Sequence, residues 1–180
     1  MKIIESNEKY LTPEIVEECF TTGQLTSVDK QACGNGFSTG FLNLKVRGNR
    51  MHIMIAPNRA VVEEKEQGYL NDLLLPLDHK DKTYHSENRI KFFYGDSFDS
   101  NFDDADILVF VADSFIMRGD AIKQIAHRVD KVLLDEIHST HQQSLYRNIL
   151  VDFENRVVNR FPDNVALVSV TASPILLNRV

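Results

Sequence analysis

Leu133-Leu134-Asp135-Glu136-Ile137-His138 runs an apolar segment straight into two adjacent carboxylates. A strand ending this way can offer one carboxylate to a magnesium ion and the other to an attacking water. Unpaired charge is costly at the end of an apolar run unless a cation or hydrogen-bond donors meet it. Asp135 is therefore the expected metal ligand and Glu136 the group expected to polarise water, the plain alternative being two acids exposed to solvent. A second signal lies upstream at Gly34-Asn35-Gly36-Phe37-Ser38-Thr39. Glycines at 34 and 36 permit positive φ and let backbone N–H groups approach anionic oxygens. Ser38 brings a hydroxyl suited to the same magnesium ion. An ordinary tight turn has the same composition, and one group is missing from a phosphate cradle. Phe37 stands where an ammonium would neutralise the outer phosphates. Lys30 and Lys45 are the basic residues near enough in sequence to reach in.

Elements that position these residues can be read from hydrophobic periodicity. Short β-rich runs alternate with helical segments, the pattern of an α/β domain with a mostly parallel sheet. Strands are expected at Leu25–Val28, His52–Ala56, Ile90–Tyr94, Asp106–Val111, Lys131–Asp135 and Val165–Thr171. The run Ile107–Val111 is continuously apolar, as a strand covered on both faces should be. Helices are expected at Thr12–Phe20, Ser38–Lys45, Arg59–Tyr69, Gly119–His127 and Gln142–Arg160. Thr12 is a natural N-cap with Pro13 at the first helical position. Asp135 and Thr171 fall at the C-terminal ends of their strands, the edge where open α/β sheets bind ligands. Asn71–Arg89 reads as an irregular connection, and the acids between Gly95 and Asp106 as a solvated turn without calcium-loop spacing.

Composition sets the outer limits. The 180 residues are 43% hydrophobic and 26% charged, a size and balance that predict one globular domain over 1–180. No apolar run approaches the ~20 residues needed to span a bilayer. The N-terminus lacks the apolar core of a secretory signal, so a cytoplasmic location and no membrane partner are expected. A net charge of −6 argues against coating nucleic acid by bulk charge, leaving local strips such as Lys45, Arg47 and Arg50 or Arg118, Lys123 and Arg128. Two cysteines make no disulfide framework. His138 and His141 lack complementary ligands at zinc spacing, and no serine sits in a nucleophile-elbow pattern.

Taken in order, these segments resemble the first RecA-like domain of superfamily 2 helicases of the DEAD/DEAH-box type. Gly34–Thr39 is similar to a degenerate Walker A motif, Ala56-Pro57-Asn58-Arg59 to motif Ia, and Val111-Ala112-Asp113-Ser114 sits where motif Ib would fall. Asp135-Glu136-Ile137-His138 is similar to the DExH form of Walker B, and Thr171-Ala172-Ser173 to motif III. The resemblance implies a three-layer P-loop NTPase fold with ATP and Mg2+ as cofactors. It implies that Gly34, Asn35, Gly36, Phe37, Ser38 and Thr39 line the nucleotide, that Ser38 and Asp135 hold magnesium, and that Glu136 activates water. His138 would speak to Thr171 or Ser173, coupling the nucleotide to nucleic-acid contacts. Pro57, Asn58, Arg59, Asp113 and Ser114 would lie along a DNA or RNA backbone. Motif III falls close to Val180, so the expectation is the first half of a two-domain motor, completed by a second RecA-like domain in cis or in trans. Phe37 supports an alternative, a catalytically impaired pseudo-NTPase kept as a nucleic-acid or protein interaction module.

Overall fold

A computed structural model of the chain describes residues 11–20, 25–29, 36–85, 87–95, 99–135, 160–162 and 165–171. The elements in order are α1 (Pro13–Glu18), β1 (Leu25–Asp29), α2 (Phe37–Leu42), β2 (Met51–Ala56), α3 (Arg59–Asp72), β3 (Ile90–Phe93) and β4 (Ile107–Val111). They continue with α4 (Ala112–Met117), α5 (Gly119–Ile125), β5 (Val129–Asp135) and β6 (Ala166–Thr171). All six expected strands form, with ends shifted by no more than two residues. Thr12 caps α1 by accepting from the Ile15 amide at 3.3 Å, and Asn58 caps α3 by accepting from the Val61 amide at 3.1 Å.

The six strands make one sheet in the order β1-β6-β5-β2-β4-β3, and every neighbouring pair is parallel. The central strands β2, β4 and β5 are covered on both faces, so successive residues feed opposite cores. On β4, Leu108 and Phe110 join one cluster with Phe115 of α4 and Ile122 of α5. Ile107 and Val109 join the other, with Phe41 and Leu42 of α2 and Val62 and Tyr69 of α3. The result is three layers: α1–α3, the sheet, and α4–α5.

Two differences from the sequence reading have local causes. Helix α2 spans Phe37–Leu42 rather than Ser38–Lys45, ending at Asn43, whose amide Nδ2 donates to the Thr83 carbonyl. Ala112–Met117, which takes in Ala112, Asp113 and Ser114 from the stretch where motif Ib would fall, forms the short helix α4 with no side-chain N-cap to announce it. The expected helix Gln142–Arg160 lies outside the described residues apart from Arg160. No described helix is long and apolar enough to cross a membrane.

Candidate nucleotide site at the C-terminal edge of the sheet

Because all pairs are parallel, β1, β6, β5 and β2 end at the same edge. Asp29 is level with Thr171, and Val170 pairs with both Val28 and Asp135. One strand separates β1 from β5, so the two ends stand roughly 10 Å apart. β5 also pairs with β2, and Asp135 thus lies between the end of β6, with β1 beyond it, and the end of β2, which Pro57–Arg59 follow.

Direction matters as much as position. Val132 and Leu134 point to the α4–α5 core and Leu133 to the α1–α3 core. Strand alternation therefore turns Asp135 toward α2, and it is only 5% exposed. Gly36 precedes α2 with φ of +80°, a left-handed conformation that glycine adopts without strain. Ser38 and Thr39 follow, both half-buried. Carboxylate and hydroxyl oxygens are the ligands a hard divalent cation takes, so Asp135 and Ser38 fit magnesium.

Phe37 is the unexpected member. It is 2% exposed and belongs to the core beneath α2 and α3. Its ring is committed to that core, and the same residue also forms part of the wall of the cavity beside the loop. This cavity, of about 700 Å3, is lined by Gly36, Phe37, Ser38, Thr39, Lys65 and Thr83 among others; Asp135 does not line it. Lys65, on α3, donates from Nζ to Thr39 Oγ1 at 3.1 Å. Sequence spacing carries no hint of this residue, because it lies 26 positions past Thr39 and only the packing of α3 beside α2 brings it in. Lys45, by contrast, lies past the end of α2 and is exposed. Gly40 allows α1 to lie close against α2, since a Cβ there would sit 2.8 Å from Val16 Cγ2.

The cavity's far wall is held firmly. Lys82 is buried and donates to the Asp72 and Leu75 carbonyls at 2.6 and 3.2 Å. The Asp72 carboxylate accepts from the Thr83 and Tyr84 amides at 2.8 and 2.6 Å. These bonds pin the 79–84 turn to the end of α3.

At the neighbouring strand ends, Pro57 and Asn58 are half-buried and Arg59 is exposed. Arg59 pairs with Glu63 at 2.7 Å and lies over the Tyr94 ring at 5.0 Å. Asp113 is exposed, whereas Ser114 is 4% exposed and its carbonyl accepts from Arg118. Of the Asp113–Ser114 pair, only the carboxylate is presented at the surface. Arg118 is no part of a basic strip either. It is buried, donates to the Asp99 carbonyl at 2.7 Å and stacks over Phe93. Arg50 and Arg128 serve the opposite edge, bonded to backbone carbonyls there. Gly34, Asn35, Glu136, His138 and Ser173, with Lys30, lie outside the described residues, and of Thr171 only the strand position is described.

No family model matches the chain, and no curated protein matches it. Solved structures do. A DEAD box protein from the hyperthermophile Methanococcus jannaschii is similar over 91% of this chain and 43% of its own, with a TM-score of 0.64 and 11% identity. A variant of S. cerevisiae Dbp5, bound to RNA and ADP BeF3, is similar over 87% of this chain and 38% of its own, with a TM-score of 0.57 and 14% identity. The chain spans less than half the length of either. At these identities the likeness defines the fold: a RecA-like, three-layer α/β domain with a parallel central sheet.

Proposed function

We propose that this chain is the ATP-binding RecA-like domain of an ATP-dependent helicase or translocase acting on nucleic acid. The observation that supports the reading is that β1, which precedes Gly36 in the chain, and β5, which ends in Asp135, stop at one sheet edge with β6 between them. A triphosphate site needs a phosphate-cradling turn and a metal-holding acid, and in this reading Gly36 and Asp135 would supply them. Similarity in fold to DEAD box proteins, one of them solved with RNA and ADP BeF3, supports the same reading.

Residue roles follow from chemistry and position. Ser38 and Asp135 would hold Mg2+, with Gly34, Asn35, Gly36 and Thr39 lining the phosphates and Glu136 positioned to take a proton from water. A bound magnesium ion supplies charge neutralisation on the phosphate oxygens. His138 with Thr171 and Ser173 would couple this edge to nucleic acid, met by Pro57, Asn58, Arg59 and Asp113. A second RecA-like domain would close the site. The test is Glu136→Gln, assayed together with such a domain. Nucleotide binding is expected to persist while hydrolysis falls by roughly 10²–10⁴-fold, the scale of general-base catalysis. Undiminished hydrolysis would remove Glu136 from the mechanism.

One observation favours a second reading, a pseudo-NTPase kept as an interaction module. Phe37 occupies the cation position and is committed to the core. That reading predicts no change in thermal midpoint at millimolar ATP and magnesium, whereas a binding site raises the midpoint by mass action.

A further inference from the structure

Phe37 fills the position from which a phosphate-loop lysine would act, and its uncharged ring is committed to the core. A positive charge is nevertheless present at the loop. Lys65 extends from the middle of α3 to within 3.1 Å of Thr39 Oγ1, and lines the same cavity as Gly36 and Ser38. We propose that Lys65, delivered from α3, is the phosphate-binding cation of this site, replacing the lysine absent at position 37. The proposal rests on the nucleotide-site reading and names the residue that makes such a site electrostatically workable.

The other charges on the cavity wall do not take this role. The Lys82 ammonium is bonded to the Asp72 and Leu75 carbonyls and is held inside the turn. Lys80 is exposed and is followed in the chain by the acid Asp81, which lines the cavity with it. Lys65 is half-buried, so its charge is screened less than a surface lysine's. The hydroxyl it reaches is next to Ser38 in the chain. An anionic oxygen entering there meets a preplaced ammonium and a hydroxyl, and a charge-assisted hydrogen bond to phosphate is stronger than one to neutral Thr39. A lysine on a packed helix is also independent of the loop's own conformation, so residue 37 is free to serve the core.

Equilibrium titration of the full chain with ATP and magnesium, and with inorganic tripolyphosphate as competitor, tests this. Lys65→Met should weaken ATP by about tenfold or more and abolish competition by tripolyphosphate, while Lys65→Arg should stay within about threefold of the parent. Affinity of the parent should fall with added salt, and the Lys65→Met slope should be shallower. Thermal melts of both variants report folding, and Lys65→Gln provides a second neutral replacement should the methionine variant not fold. If the parent binds ATP and both neutral variants bind equally well, Lys65 is not the cation, although the site stands. If the parent binds neither ATP nor tripolyphosphate, the nucleotide-site reading falls and this proposal with it. A lowered melting temperature with unchanged affinity would assign Lys65 a packing role and overturn the proposal.

Discussion

The two edges of the sheet use their charged residues in opposite ways. At the N-terminal edge, Arg50 donates to the His127 and Val129 carbonyls at 3.1 and 2.9 Å, and Arg128 donates to the Asn49 carbonyl at 3.0 Å. His52 lies 3.8 Å from the Asp130 carboxylate, itself beside Lys131. These charges close loops and strand starts. At the C-terminal edge, Asp135 is buried at a strand end, Lys65 crosses from one helix to another's hydroxyl, and Arg59 stands 61% exposed. A residue's charge says little about its task; its level along a parallel strand says much more, because loops at one end tie the sheet and loops at the other meet ligand.

Substitutions that exchange the two kinds of role sharpen this contrast. The largest effect is expected for Phe37→Lys. It removes a buried ring and places an ammonium in the core, so stability should fall by about 3–5 kcal/mol or more, measured by urea unfolding. Nucleotide affinity should not improve. A stable Phe37→Lys chain with tighter ATP binding would show that position 37 can serve the cavity it lines rather than the core.

Arg50→Met tests the tying edge. Loss of two charge-assisted bonds to carbonyls, at a partly exposed position, should cost about 1–2 kcal/mol and leave nucleotide affinity unchanged. A shift in affinity would mean the edges are coupled.

A smaller, pH-dependent effect belongs to His52. Burial holds its imidazole below the ordinary value of 6.5, against the pull of Asp130. His52 Nδ1 has no hydrogen-bond partner among the described residues. The His52 imidazole, together with Lys131, holds Asp130 below the usual carboxylate range. Both groups bind fewer protons in the folded chain than in the unfolded one. The His52 contribution is therefore complete above about pH 6.5 and is lost as pH falls below it; the Asp130 contribution follows below about pH 4. The thermal midpoint should drop between pH 7 and pH 5, and His52→Gln should flatten that slope. An unchanged slope would take His52 out of the account.

Much of this architecture is legible in the amino-acid order. Strands covered on both faces leave apolar runs such as Ile107–Val111 that need no partner to be recognised, and Thr12 caps α1 as its type suggests. The acid ending β5 is equally plain. What the order does not encode is direction and company. Arg118 reads as a surface cation yet is packed over Phe93, since nothing local marks the Asp99 and Ser114 carbonyls that await it. Ser114 reads as a backbone-contacting hydroxyl, but the unannounced turn of α4 buries it. Lys65 carries no motif, because its meeting with Thr39 is made by two helices packing side by side.

The most direct test of the central claim is an ATP titration of the chain with and without magnesium, repeated on Asp135→Asn. The account predicts saturable binding that magnesium strengthens, and loss of that strengthening, by roughly tenfold or more, in the variant. Binding of ATP to the variant with the parent's full magnesium dependence would contradict it, as would no binding to the parent at millimolar nucleotide.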